Sequence, residues 1–212
     1  MAEVLNSGDV RGALHRPEAD VIGGLALTHG AGSDHDTMLL RALADEFAER
    51  GVLVLRFDLP FRVRKAKGPP HPSCAAEDRA GVAAAVAYLR EVTNGPVVAG
   101  GHSYGGRQTS MLAAESSGSI DGLLLLSYPL HPPKKPEKLR TEHLPDLRVP
   151  TVVVHGSKDT FATPDEMRAA VAMIPAPTTL VELDGARHDL DIARYPVVER
   201  AVTTTMSDMF GR

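Results

Sequence analysis

A serine flanked by glycines, in the pentapeptide Gly-His-Ser-Tyr-Gly at positions 101–105, constrains this chain more than any other feature. It follows the apolar run 96–100 and precedes a helical pattern over 106–114. In that context the serine occupies a tight strand-to-helix turn, which lifts its hydroxyl clear of the sheet. The glycines remove the β-carbons that would collide in so sharp a bend. We therefore predict that Ser103 is a nucleophile rather than a polar turn residue.

Short apolar strands alternate with helical patterns along the chain, which predicts an α/β fold with a mostly parallel sheet covered by helices on both faces. Strands are predicted at 21–28, 52–57, 96–100, 122–127, 150–155 and 178–183, with one or two edge strands before them. Further helices are predicted near 39–47, at 75–91 behind a Ser73 cap, from a Thr163 capping box to about 175, and at 196–210. Two Pro-rich basic stretches, 62–72 and 128–147, are predicted to be exposed loops.

Length and composition favour one ordinary globular domain spanning residues 1–212. A net charge of -4 gives no reason to expect a nucleic-acid or membrane partner. The single cysteine, Cys74, fits a reducing compartment and excludes an intrachain disulfide. The N-terminus carries no secretion signal, and no apolar run approaches the roughly 20 residues needed to cross a bilayer. A cytoplasmic location is predicted, and the oligomeric state stays open.

A serine hydroxyl needs a histidine base, which a carboxylate in turn orients. Functional residues of parallel sheets gather beyond the carboxyl ends of the strands. Asp159 and His188 follow two such predicted strands, so that Ser103, Asp159 and His188 form a candidate catalytic triad. Asp184 is a weaker rival for the acid, since it lies too close to His188 along the chain to reach the far ring nitrogen comfortably.

Donors for a substrate oxyanion are predicted at the end of the first strand, where a turn of small residues follows. The amides of Ala31 and Tyr104 are the preferred pair, and Gly32 is a substitute for Ala31. His29 is predicted to shape this turn through hydrogen bonds. His102, next to the serine, is predicted to point away from the site and to serve in packing.

The two basic loops lie on the same side of the predicted sheet as Ser103. They are either solvated charge or a positive rim that attracts an anionic substrate or an acidic partner. Gly32, Arg62 and Tyr128 are the residues predicted to contact a small-molecule substrate. The chemistry of the triad requires neither a metal nor an organic cofactor.

Four segments carry a family resemblance: 28–33, 57–62, 101–107 and 127–133. With Asp159 and His188, they make the chain resemble the α/β-hydrolases over nearly its whole length. More narrowly, it is similar to a small branch without a cap domain, dienelactone-hydrolase-like, which includes a testis-expressed protein and a subunit of the NSL histone-acetyltransferase complex. The resemblance implies a serine-hydrolase fold without a cap. That branch has no settled substrate and includes members with scaffold roles.

The sequence therefore predicts an esterase or other acyl hydrolase that forms an acyl-enzyme on Ser103. The alternative is a protein of the same fold that binds or scaffolds, with its pocket closed. The complete Ser-Asp-His set argues against the alternative, because a pure scaffold has no chemical need for three matched residues. Esters, thioesters and amides all remain open as substrates.

Overall fold

A single mixed sheet forms the centre of the computed structural model, which describes residues 2–8 and 10–212. Its strands are β1 (Ala2–Ser7), β2 (Val10–His15), β3 (Gly23–Thr28), β4 (Val52–Phe57), β5 (Val97–His102), β6 (Gly122–Leu126), β7 (Thr151–Gly156) and β8 (Thr178–Leu183). They lie in the order β1-β2-β4-β3-β5-β6-β7-β8. The six strands from β3 to β8 are parallel, whereas β1 and β2 join antiparallel at one edge. The predicted α/β architecture is confirmed.

Among the described residues, six α-helices accompany the sheet: α1 (Met38–Glu49), α2 (Pro60–Arg64), α3 (Ala75–Val92), α4 (Tyr104–Glu115), α5 (Pro164–Val171) and α6 (Val197–Phe210). Helices α1 and α6 cover one face, while α3, α4 and α5 cover the other. Central strands such as β4 are buried along their whole length because both of their faces carry helices. Their sequences consequently read as continuous apolar runs rather than as alternating patterns.

Three local predictions need correction. Residues 62–64 were expected in an exposed loop but belong to helix α2, which begins at Pro60, where the fixed φ of proline suits a first helical turn. Ser73 does not cap α3; it lies in a short 3-10 helix, Pro72–Cys74, capped by the side chain of His71. The Thr163–Glu166 capping box is confirmed, but α5 ends at Val171, four residues before the predicted stop.

The carboxyl ends of the six parallel strands share one edge of the sheet, and the residues that follow β5, β7 and β8 come together there. No helix of the described residues is both long and apolar enough to span a lipid bilayer.

Candidate active site

The turn between β5 and α4 holds Ser103 in a backbone conformation that is rare for a residue with a side chain. Its φ is 51° and its ψ is -113°. Two backbone hydrogen bonds hold the turn: Ser103 N donates to Leu126 O at 2.8 Å, and Arg107 N donates to Ser103 O at 3.0 Å. Conformations of this kind cost about 1–3 kcal/mol and persist only where the surroundings enforce them.

The glycines of this turn are required by the close approach of β3. A β-carbon at Gly101 would lie 2.4 Å from the carbonyl oxygen of Thr28, and one at Gly105 would lie 2.5 Å from that of His29. Real β-carbons do not come so close to a backbone oxygen, so any larger residue would push the turn away from the end of β3. The placement of a glycine two residues before and two residues after Ser103 is thus required by the packing of the turn.

A continuous chain of hydrogen bonds links the three residues of the predicted triad. His188 Nε2 lies 2.8 Å from Ser103 Oγ, and His188 Nδ1 lies 2.7 Å from Asp159 Oδ2. When Nδ1–H donates to the carboxylate, Nε2 is left as the acceptor for the serine proton. The rival carboxylate, Asp184, instead accepts from Ser157 Oγ at 3.0 Å.

The carboxylate of Asp159 is well placed to hold the imidazole. Its side chain is fully buried, whereas that of His188 is 23% exposed. The second carboxylate oxygen, Oδ1, accepts from the Phe161 amide at 2.8 Å. This bond fixes the carboxylate while it orients the histidine. The turn after β7 therefore positions both the acid and, through Phe161, one wall of the site.

Phe161, which the sequence did not single out, and His102 both contact His188. The Phe161 ring stacks on the imidazole, with ring centres 4.1 Å apart and an interplanar angle of 28°. His102 Nε2 donates to the His188 carbonyl at 2.7 Å. The expectation that His102 points away from the site is therefore wrong: its ring contacts the segment that carries His188. Burial lowers the pKa of His102 to about 4, so its ring is neutral at pH 7.

The turn after β3 approaches the serine closely at the position predicted for the oxyanion donors. An added β-carbon at Gly30 would lie 3.6 Å from Ser103 Cβ. Within the described part of the chain, the amides of Ala31 and Tyr104 have no backbone acceptor. The role of both N–H groups as oxyanion donors stays a prediction. His29 fastens the turn as expected, with Nδ1 donating to Gly30 O at 2.8 Å and Nε2 accepting from Leu59 N at 3.1 Å.

Arg62 is buried beneath this turn, where its guanidinium donates to four backbone carbonyls. Nε reaches Ser33 O at 2.7 Å, Nη2 reaches Ala31 O at 2.9 Å and Gly68 O at 3.1 Å, and Nη1 reaches Lys65 O at 2.9 Å. An arginine has five N–H donors, so one remains. A role of Arg62 in binding substrate stays a prediction, and it would depend on that one donor.

The other two predicted substrate contacts lie in different surroundings. Tyr128 is 2% exposed, and its hydroxyl donates to Arg140 O at 2.6 Å. Gly32 is exposed, and a β-carbon there would meet nothing within 4 Å. Gly32 therefore borders open space next to Ala31, while Tyr128 is part of the packed base of the loop after β6.

Asp78 is a further residue of this region that the sequence did not point to. This buried carboxylate on α3 accepts from Phe61 N at 3.0 Å and from the hydroxyl of Tyr104 at 2.7 Å. Burial raises its pKa above that of an ordinary aspartate. Asp78 thus joins α2 to the residue that directly follows the serine. A buried aspartate inside a helix gives no local sequence signal, because its partners are distant in the chain.

Comparison with known proteins agrees with this geometry. The family described as alpha/beta hydrolase domain matches residues 23–206, which include all three residues of the hydrogen-bonded chain. The chain belongs to that family. Its sheet is largely parallel, and its described residues contain no separate cap domain.

Solved structures share this alpha/beta hydrolase fold over nearly their whole length. Dienelactone hydrolase from Anabaena variabilis is 16% identical, with a TM-score of 0.75 and coverage of 100% of this chain and 97% of that one. Est1E from Butyrivibrio proteoclasticus is 17% identical, with a TM-score of 0.77 and coverage of 100% and 99%. An alpha-beta serine hydrolase homologue from Coxiella burnetii is 17% identical, with a TM-score of 0.73 and coverage of 96% of each chain. At these identities the likeness establishes the fold alone.

Proposed function

We propose that this alpha/beta hydrolase is a serine esterase that cleaves small esters through an acyl-enzyme on Ser103. The observation that carries the proposal is the unbroken hydrogen-bonded chain from Asp159 through His188 to Ser103 Oγ. A serine hydroxyl bonded to an imidazole, with a buried carboxylate behind the imidazole, is the arrangement that makes a hydroxyl nucleophilic.

The reaction then follows from the positions of these groups. Ser103 Oγ attacks the ester carbon as His188 Nε2 takes its proton, and the carbonyl oxygen becomes an oxyanion. The amides of Ala31 and Tyr104 donate to this oxyanion, each with a stabilisation of about 3 kcal/mol. His188 returns the proton to the departing alcohol, which leaves the acyl group on Ser103. Water, deprotonated by His188, attacks the acyl carbon and releases the acid and the free serine.

A small substrate agrees with the surroundings of Ser103. Without a cap, turns and loops border the site: the turn after β3 comes close to Ser103, and Phe161 in the turn after β7 stacks on His188. We infer that the chain falls in the small capless branch that its motifs resemble, and that it acts in the cytoplasm. The first inference is supported by the segments 57–62 and 127–133, and the second by the single cysteine.

The function is tested by labelling the protein with a fluorophosphonate, which reacts with activated serines. We expect one adduct, mapped to Ser103 by peptide mass spectrometry and absent from Ser103→Ala. His188→Ala should slow labelling by several orders of magnitude, since loss of a triad member costs on the order of 10⁴–10⁶ in rate.

Ser157→Ala is the matched control, because this serine lies in the neighbouring turn and bonds to Asp184 instead of a histidine. Its labelling should equal that of the wild type. A folded wild-type protein that takes up no probe would overturn the esterase proposal and favour a binding or scaffold role. Labelling should be followed by turnover of short-chain esters, with thioesters assayed in parallel.

A further inference from the structure

The two amides proposed as oxyanion donors belong to different segments of the chain. Tyr104 N lies at the start of α4, and Ala31 N lies in the turn after β3. A backbone bond joins the two segments directly, from Gly105 N to His29 O at 3.1 Å. An oxyanion can accept from both amides only if their separation is fixed, because a hydrogen bond weakens steeply when its donor is misaligned. Whatever holds Ala31 relative to Tyr104 therefore determines how well the pair can act.

Helix α2 holds the turn that carries Ala31. The Ala31 carbonyl accepts from Arg62 Nη2 at 2.9 Å, and the bond from Arg62 Nε to Ser33 O, at 2.7 Å, fixes the far end of the turn. At the start of the same helix, Leu59 N donates to His29 Nε2 at 3.1 Å. The position of the Ala31 amide thus depends on the position of α2.

The carboxylate of Asp78 fastens α2 to Tyr104. Asp78 lies on α3 and is 0% exposed. Its Oδ1 accepts from Phe61 N at 3.0 Å, and its Oδ2 accepts from the Tyr104 hydroxyl at 2.7 Å. Phe61 lies in the first turn of α2, where N–H groups have no acceptor within the helix. The two oxygens of one carboxylate therefore bond to the helix that holds one donor and to the residue that supplies the other.

Close packing surrounds this carboxylate. The rings of Phe61 and Tyr104 meet edge to face, with ring centres 5.7 Å apart and an interplanar angle of 90°. A β-carbon at Gly81, one turn further along α3, would lie 2.4 Å from Cδ of Pro60. Helix α3 is therefore in direct contact with the first residue of α2. In a close-packed region of this kind, loss of one bond is felt by the neighbouring elements.

We propose that Asp78 is a positioning residue for hydrolysis, which sets the separation of the Ala31 and Tyr104 amides by bonding to α2 and to Tyr104 together. This rests on the acyl-hydrolase function proposed for Ser103. Asp78 acts through Phe61 and Tyr104 and needs no contact with the substrate. Its effect belongs to the transition state, where the oxyanion carries full charge, more than to the ground state, where the carbonyl oxygen is a weaker acceptor.

Variants separate the two bonds of the carboxylate. Tyr104→Phe removes only the bond to Oδ2, because the backbone amide at position 104 remains, whereas Asp78→Ala removes both bonds. We expect Tyr104→Phe to lower kcat for a neutral ester by about tenfold, the loss typical of a hydrogen bond to a charged group. Asp78→Ala should lower kcat further, and KM should change by less than about twofold in both variants.

A purely structural role of Asp78 would reduce the amount of folded protein without changing its kinetics. We therefore take kcat per serine labelled by fluorophosphonate, which counts only folded active sites. Asp78→Asn should recover most of the lost kcat, since its amide oxygen can accept from Phe61 N while its NH₂ group donates to the Tyr104 oxygen. In the Asp78→Ala background, Tyr104→Phe should have no further effect, because the bond it removes is already absent.

Two matched controls accompany these variants. Tyr88→Phe removes the same hydroxyl from another partly buried tyrosine, which lies on α3. Glu77→Gln changes the acid next to Asp78, which pairs with Arg64 of α2 at the exposed surface. Both controls should match the wild type in kcat and KM.

A second measurement needs no substrate and so separates this inference from the esterase proposal. Amide hydrogen exchange, followed by mass spectrometry, should be faster over residues 29–33 in Tyr104→Phe than in the wild type, with β8 unchanged. If the wild type turns over no ester, faster exchange supports the link through Asp78, and unchanged exchange overturns it. If the wild type is active, the kinetics decide. A kcat per labelled serine that stays at the wild-type value in Tyr104→Phe and Asp78→Ala overturns the positioning role and leaves the esterase proposal standing.

Discussion

Ser103 is both the proposed nucleophile and a residue with a strained backbone conformation. Its φ of 51° lies in the region that glycine enters freely and that a β-carbon disfavours. The hydrogen bonds to Leu126 and Arg107, and the contact with the end of β3, hold it there. The strain is consistent with a residue whose hydroxyl must stand clear of the sheet to meet His188.

Removing the β-carbon should therefore relieve strain that removing the hydroxyl alone does not. We expect Ser103→Gly to unfold with a free energy about 1 kcal/mol higher than Ser103→Ala, after the greater unfolded-state entropy of glycine is subtracted. Urea denaturation followed by circular dichroism measures both. A glycine variant no more stable than the alanine variant would show that the turn carries no strain.

The choice of Asp159 over Asp184 as the carboxylate partner of His188 could be made from the sequence. The position of Asp159 after a predicted strand, and the closeness of Asp184 to His188 along the chain, were enough to choose between two carboxylates. No pattern pointed to Phe161 or to the bond from His102. Stacking on an imidazole and donation to its carbonyl depend on where the turns after β7 and β8 meet.

At the scale of elements, helix α2 and the turn after β3 form one unit through Arg62. Sequence reasoning assigned the basic stretch 62–72 to an exposed loop because it is rich in Pro, Gly and charge. Arg62 is nevertheless only 5% exposed, since carbonyls from two loops accept hydrogen bonds from its guanidinium. Local composition describes the average environment of a segment, and it missed the one arginine that turns inward.

Because Arg62 bonds to Ala31 and Ser33, it should position the amide that we assign to the oxyanion. We expect Arg62→Lys to lower kcat for a neutral ester by tenfold or more, with little change in KM. Removal of an oxyanion donor itself lowers kcat by roughly 10²–10³-fold, which is the upper limit for this variant. Steady-state kinetics on short-chain esters gives both constants.

Arg64→Lys is the control for this variant, since it lies on the same helix and forms an exposed pair with Glu77. Its kinetics should match the wild type. An Arg62→Lys protein that is folded, by near-ultraviolet circular dichroism, and has an unchanged kcat would show that Arg62 does not position the donor.

At the scale of the whole molecule, the pattern of burial makes the protein sensitive to acid. Burial lowers the pKa of five histidines: His15, His29, His102, His143 and His155. A histidine with a lower pKa in the folded state binds fewer protons there than in the unfolded chain. The free energy of unfolding therefore falls as pH drops below the unfolded value of 6.5. Asp78 acts in the opposite sense, since burial raises its carboxyl pKa.

We expect the free energy of unfolding to decrease steadily between pH 6.5 and about 4, with His102 alone contributing on the order of 3 kcal/mol. His102→Gln should flatten this dependence. Urea titrations at several pH values give the slope. Equal slopes for the wild type and His102→Gln would contradict the assignment.

The same titrations test the prediction that residues 1–212 form a single domain. Backbone circular dichroism and tyrosine fluorescence should then report coincident transitions, as expected for two-state unfolding. Two separate transitions would show units that unfold independently.

The sequence by itself determined the class of fold, the place of each central strand and the identity of the three residues in the hydrogen-bonded triad. These depend on local patterns: apolar runs, capping residues and a glycine-flanked serine at a strand-to-helix junction. The tertiary structure alone decided the contacts that hold and surround the triad, such as the bond from His102 to the His188 carbonyl and the stacking of the Phe161 ring on the imidazole. Those contacts join residues that are distant in the chain, 86 positions apart for His102 and His188. Only the packing of separate loops at one edge of the sheet brings them into reach, and no local pattern encodes that packing.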